Sequence, residues 1–360
     1  MSRQFISKII ALLAGIVLLT VAYSHNKASS YVISGNAYGT NWIIKSPEYI
    51  ADHHRDNIEK ILSEIDYVAS NYKEDSEIAI INNSTNTYHF ISEDLFNILN
   101  IAKDVEKKSK GFYNIMLGKV SSNLGFSPTF NKELVHKKDD TYKLDEKNSS
   151  LEKISLNWFD LSSIAKGYAV QKIHEYLVNQ NLNNHYIDIG GEIIINGINV
   201  NNPWIVGIQN PLSFKDNAST IIQSKNNFLA IATSGEYRNY KTGTNGEKVT
   251  HTINPNTLES VKHNTLSVTV LHHNSATYAD AYATAFNAMG PELAIDIANQ
   301  YNIALMLIVQ EASAEEEAPE EETPEEETPE EETPEEETPA EENENNVNFI
   351  YSNKWYDLVI

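Results

Sequence analysis

Between Ala304–Val309 and Val347–Tyr351, two apolar stretches with the pattern of a closing strand pair, the chain carries a run that no folded core can use. From Glu311 to Glu344 there are 19 acidic residues and no basic one, and Thr-Pro-Glu-Glu-Glu recurs from Thr323 onward. Like charges repel, and almost nothing apolar is present to bury, so residues 311–346 read as a disordered insertion in a hairpin loop. Its carboxylates lack the ligand spacing of an EF-hand. The sequence therefore predicts one body over residues 30–310 whose last strand, in 347–360, returns from beyond the insertion.

The same run accounts for most of the net charge. Of −23 over 360 residues, it leaves only −4 for the rest. No basic stripe remains to neutralise phosphates along a groove, which argues against nucleic acid as a partner. The absence of cysteine excludes disulfides, a thiolate nucleophile, cysteine-ligated zinc and a lipidated N-terminal cysteine. At the N-terminus, Arg3 and Lys8 precede an apolar run from Ile9 to Tyr23, followed by His25, Asn26 and Lys27. Residues 1–29 thus read as a secretory signal or, by preference, an uncleaved membrane anchor with linker, so that the remainder is exported.

Beyond it the pattern is mixed. Tyr31 to Lys45 reads as two strands about a turn at Gly35-Asn36, and Asp52 to Ser70 has the apolar period of a helix. Ser92 to Lys108 is a clearer helix, with Leu95, Ile98, Leu99, Ala102 and Val105 on one face and Gly111 beyond its end. Further strands are expected at 186–189, 192–195, 204–209, 228–233 and 267–271, with helices at 278–289 and through Ile297. Neighbouring strands with interspersed helices predict an α+β fold of mixed, largely antiparallel sheets rather than a regular βαβ array.

Chemistry concentrates in four segments. After a strand-like Trp158-Phe159, Asp160 to Ser163 are N-cap candidates for a helix in which Lys166 sits one turn in, near the free N–H groups that favour phosphate. An ordinary capped helix with a solvated lysine is the competing reading. Thr233 to Arg238 follows a buried strand and offers a serine, a glycine and an arginine for a phosphate-binding turn. His251 stands beside the turn-forming Asn254-Pro255, where an imidazole can take a proton from an attacking hydroxyl. Asp280 and Thr284 fall at i and i+4, a carboxylate and a hydroxyl suited to Mg²⁺ or simply to a local hydrogen bond.

Taken in order, Gly39-Thr40, Ser70-Asn71-Tyr72 with Ser76-Glu77-Ile78, Gly111-Phe112-Tyr113, Asp160 to Val170, Ile189-Gly190-Gly191-Glu192, Ala232 to Gly235, His251 to Pro255 and Ala279 to Thr284 resemble the ApbE-type FAD:protein FMN transferases. The resemblance runs from about Tyr31 to Val309 and resumes in the last strand. It implies an ApbE-like fold and Mg²⁺-dependent transfer of FMN from FAD to a threonine or serine of a target protein, with release of AMP. It implies targets in membrane-bound redox complexes such as sodium-pumping NADH:quinone reductases, and a location at the inner membrane facing the periplasm. Some relatives instead hydrolyse FAD to FMN and AMP, and a flavin-binding assembly protein with weak catalysis is a further alternative.

By motif match, Ala37, Tyr38, Tyr72, Phe112, Tyr113, Asn114, Asp160, Lys166 and Ile253 would contact FAD. Asp280 and Thr284 would hold Mg²⁺ with a backbone oxygen at Ser163, and His251 would be the base. The chain departs from the family pattern at Tyr38, in place of methionine, and at Asn114, Gln171 and Asn254, each in place of aspartate.

Overall fold

The computed structural model describes residues 12–19, 30–129, 141–154, 156–212, 218–225, 227–235, 240–242, 248–311 and 347–359. Its centre is an eight-stranded antiparallel sheet whose strands lie side by side in chain order. They are β1 (Tyr31–Ala37), β2 (Thr40–Ser46), β3 (His185–Ile189), β4 (Glu192–Asn196), β5 (Phe228–Gly235), β6 (Thr265–His272), β7 (Ala304–Gln310) and β8 (Val347–Tyr351). The expected α+β class holds. The acidic segment's two flanks pair, Gln310 opposite Val347, while residues 312–346 themselves lie outside the described residues.

Alternation along the strands gives the sheet two apolar faces. Ala230, Ala232, Leu305 and Leu307 join one core under the helices, whereas Leu229, Ile231, Met306 and Ile308 join a second with Trp204, Val206, Ile222 and Trp355. Each buried leucine, isoleucine or methionine contributes about 1.5–3 kcal/mol, so a one-residue slip of register, which turns every side chain to the other face, would break up both cores at once. The second face is covered by a hairpin of residues 205–209 and 218–223 and by a short C-terminal helix, Trp355–Leu358.

The first face carries the helices. They are α1 (Asp52–Ala69), α2 (Glu77–Asn83), α3 (Glu93–Lys108), α4 (Gly118–Asn123), α5 (Ala165–Asn179), α6 (Ala276–Met289) and α7 (Pro291–Gln300). In α3 the predicted face is the buried one, Ser92 Oγ accepts from Leu95 N at 3.2 Å, and Gly111 ends the helix at φ 84°. Helix α6 is the most enclosed, because its alanines let α5, β5 and β6 approach closely.

Several expectations are corrected. The first hairpin turns at Tyr38-Gly39, both with positive φ, not at Gly35-Asn36. Gly35 is instead a strand residue paired with Trp42, whose indole lies 2.8 Å from where a Cβ would stand. Trp158-Phe159 is buried but not a strand. Helix α5 begins at Ala165 with Ile164 at the N-cap and no side-chain cap, so Lys166 lies in its first turn. Asp160 caps nothing there because its Oδ1 accepts from Ser162 N at 3.1 Å, two residues on. Thr233 to Gly235 end β5 rather than form a loop, and Glu236 to Arg238 lie outside the described residues. Residues 12–19 are helical, and among the described residues no helix is long and apolar enough to cross a membrane.

Candidate active site

A cavity of about 450 Å³ opens where the ends of β4 and β5 meet the starts of α5 and the middle of α6. Twelve of the thirteen residues singled out above line it; Ala37, which closes β1 opposite Thr40, does not. The segment before α5 is fixed from beneath. Asn82 Oδ1 accepts from Phe159 N at 2.7 Å, while Asn82 Nδ2 and Asn71 Nδ2 donate to Phe159 O at 2.9 and 3.1 Å. These buried amides hold Asp160 at the cavity wall, where Ser127 Oγ donates to its Oδ2 at 3.0 Å.

On the sheet side Lys166 Nζ meets Glu192 Oε1 at 2.5 Å. Burial works against the ammonium, but Glu192, Asp280 and Asp188 outweigh it and hold the Lys166 pKa above the ordinary lysine value. Burial pushes the Glu192 carboxyl up to about 8 against the pull of Lys166, and its Oε2 has no hydrogen-bond partner among the described residues. Glu192 was only part of a motif in the sequence; nothing there marks it as the partner of Lys166.

Asp280 is also buried, which raises its pKa, and its Oδ2 accepts from Gly167 N at 2.8 Å. That contact needs glycine: a Cβ on Gly167 would lie 2.5 Å from Ala276 O and 2.6 Å from Asp280 Cβ. Thr284, one turn on, faces the same cavity, as does Ser163, whose Oγ lies 3.0 Å from Tyr113 OH. Burial raises the Tyr113 phenol well above its usual range, so it stays protonated. Among the described residues no three His, Asp or Glu side chains form a metal cluster. The set present is one carboxylate with hydroxyl and carbonyl oxygens, hard donors beside a surplus of acidic groups, and it fits Mg²⁺.

The remaining wall is aromatic and apolar. Tyr72 OH donates to Phe126 O at 2.7 Å, and Phe126 stands edge-on to His251 with ring centroids 6.3 Å apart. Ile253 packs with Leu117 and Val120 beneath the cavity. Tyr38 OH donates to Leu62 O at 2.7 Å, tying the first hairpin to α1.

The three amides at expected aspartate positions all use their oxygen as an acceptor for a backbone N–H. Asn114 Oδ1 takes Met116 N at 2.8 Å, Gln171 Oε1 takes Ala276 N at 3.1 Å and Asn254 Oδ1 takes Asn256 N at 2.9 Å. A neutral amide oxygen performs that bond as a carboxylate does; Asn114 and Asn254, isosteric with aspartate, keep the local geometry, Gln171 makes its bond with a side chain one methylene longer, and all three remove charge.

Comparison with known proteins agrees with this layout. A family model described as the ApbE family matches residues 38–307. The FAD:protein FMN transferase of Haemophilus influenzae is 31% identical, covering 86% of this chain and 94% of its own. That of Vibrio cholerae is 30% identical, covering 81% and 91%. The solved structure of the flavin transferase ApbE from Vibrio cholerae shares the fold with a TM-score of 0.72 at 24% identity, over 92% of this chain and 99% of that one. The family model spans every residue that lines the cavity, and the chain belongs to the ApbE family of flavin transferases.

Proposed function

We propose that this enzyme moves FMN from FAD to a threonine or serine hydroxyl of a target protein and releases AMP. The observation that carries the reading is the convergence of Asp160, Lys166, His251, Asp280 and Thr284 on one cavity from three separate stretches of chain. Bound Mg²⁺, held by Asp280, Thr284 and the backbone oxygen of Ser163, would supply charge for the pyrophosphate. Lys166, kept protonated by its acidic neighbours, attracts the same phosphates. The isoalloxazine and adenine rings take the aromatic wall of Tyr72, Phe112 and Tyr113, with Ile253 beneath.

The acceptor oxygen attacks the FMN phosphorus, the bond from that phosphorus to the bridging oxygen breaks, and AMP departs with the bridging oxygen. The acceptor's proton passes to His251. Water in place of the acceptor gives FMN and AMP. The N-terminal charged-then-apolar run supports export, an anchor in the inner membrane and a periplasmic catalytic body. Targets are then subunits of membrane-bound redox complexes, of the sodium-pumping NADH:quinone reductase kind. The test is AMP release from FAD by the purified enzyme with Mg²⁺, with and without acceptor peptide, and again with EDTA. Acceptor-stimulated, EDTA-sensitive release is expected; release indifferent to both overturns the reading.

A further inference from the structure

Helix α6 is rich in alanine, yet near its end it buries a polar amide. Asn287 is wholly shielded from solvent, and an amide in such a place is costly unless its groups are hydrogen-bonded. Its Nδ2 donates to Ser234 Oγ at 3.1 Å and to Thr252 Oγ1 at 3.0 Å. An amide nitrogen carries two hydrogens, one for each of these hydroxyls. The main chain at the same residue is held as well: Asn287 O accepts from His263 Nε2 at 2.6 Å, and His263 Nδ1 accepts from Thr265 N at 3.3 Å.

Ser234 ends β5 and Thr252 follows His251, and both line the catalytic cavity, whereas Asn287 stands behind its wall. The stretch around His251 is bound into a unit of its own. Ser260 Oγ accepts from Thr250 N at 2.6 Å and donates to Thr250 O at 2.7 Å, Val261 N donates to Thr252 O at 3.1 Å, and Ile253 pairs with Ser260. Asn287 ties that unit to α6. Asp280, Thr284 and Asn287 follow one another at spacings of four and three, so they share one face of the helix.

We propose that Asn287 is a positioning residue, which through Thr252 holds the His251 imidazole in register with Asp280 and Thr284 on the same helix. The inference rests on the transfer reading above, in which His251 takes the acceptor's proton. A base works only within hydrogen-bond reach of that proton, about 2.6–3.2 Å, so a drift of the 250–261 unit is felt first in proton transfer. The residues assigned to the flavin and the phosphates, Tyr72, Phe112, Tyr113, Asp160 and Lys166, lie on other elements. Loosening the tie therefore lowers turnover and spares FAD affinity.

The experiment measures AMP release from FAD by the full chain with Mg²⁺, with and without a pool of threonine-centred peptides. Asn287→Ala removes the donor, Thr252→Val removes its acceptor while keeping the side-chain outline, and Thr252→Ser keeps the hydroxyl. Asn287→Ala and Thr252→Val are each expected to lower kcat about tenfold, a part of the 10²-fold or more that a base contributes. The FAD affinity read by flavin fluorescence stays within about twofold, and Thr252→Ser restores the rate. In a His251→Ala background neither change lowers the rate further, because residues that act as a unit are not additive. The same tenfold loss in that background overturns the proposal, as do a Thr252→Val rate equal to wild type and an FAD affinity that falls in step with turnover. Should Asn287→Ala fail to fold, Thr252→Val, which leaves Asn287 its bond to Ser234, decides alone. A His251→Ala chain as fast as wild type removes the base, and this role for Asn287 with it. Peptides that never speed AMP release overturn the transfer reading instead, and the same cycle on release to water still decides the role of Asn287.

Discussion

Replacing Gly167 by alanine tests how the two helices of the site are held together. The added Cβ would stand 2.5 Å from Ala276 O and 2.6 Å from Asp280 Cβ, roughly 1 Å inside ordinary contact. Helices α5 and α6 must separate by about that much, which carries Lys166 away from Asp280 and stretches the 2.8 Å bond from Gly167 N to Asp280 Oδ2. Two stability effects oppose each other: overpacking costs about 1–3 kcal/mol, and alanine gains about 1 kcal/mol of helix propensity over glycine. The net loss of about 0–2 kcal/mol lowers the melting temperature by no more than about 8 °C. Turnover responds more steeply, since a misplacement of about 1 Å at a reacting centre costs on the order of 10²-fold. Thermal melting paired with AMP release from FAD measures both. A Gly167→Ala protein that melts and turns over as wild type refutes the close approach as the device that sets the site.

For Asp280→Ala, Mg²⁺-dependent turnover is expected to vanish from a folded protein; near-normal AMP release would remove Asp280 from the metal site. His251→Ala is expected to slow transfer about 10²-fold or more with FAD affinity retained by flavin fluorescence, and an unchanged rate across neutral pH excludes it as the base. Deleting Ala314 to Asn343 with a short turn in their place leaves melting temperature and peptide flavinylation unchanged, because lengthening a loop twofold adds only about 0.6 kcal/mol; loss of either would mean that the acidic run packs on the body. Burial lowers the His174, His185 and His272 pKa values to about 4. The unfolded chain therefore takes up protons first, and stability present above pH 6.5 is lost as pH falls toward 4, by up to about 1.4 kcal/mol per pH unit for each histidine. His272→Phe, which keeps a ring against Tyr278, should reduce that slope in urea melts at several pH values; an unaltered slope contradicts the assignment.

Most of the fold was legible because its signals are local. The period of α3, the continuous apolar runs of β5 and β7, and the strand pair flanking the acidic run all depend on neighbours in sequence. What was missed depends on distant partners. Nothing near Gly35 announces that the Trp42 indole must lie over it, so the glycine was taken for the turn that Tyr38 and Gly39 make. The capping expectation for α5 failed because the helix begins only at Ala165, while Asp160 is engaged by Ser162 N nearby and by Ser127 far along the chain, and the segment around it by Asn71 and Asn82. In the site, motif matching found the residues that face the cavity but not those that hold them. Glu192 beneath Lys166 and the glycine between α5 and α6 emerge only once the helices are packed. The three amides at aspartate positions looked like lost charge, and in the folded protein each serves as a backbone acceptor.

Transfer to protein, as opposed to splitting FAD in water, is tested most directly by the mass of an acceptor. A candidate redox-complex subunit is co-expressed with this chain, purified under denaturing conditions and digested, and its peptides are weighed. The account predicts one peptide heavier by FMN less water, with the added mass on a threonine or serine, and no addition when the Asp280→Ala chain replaces wild type. Free FMN and AMP with every acceptor peptide at its unmodified mass would contradict it.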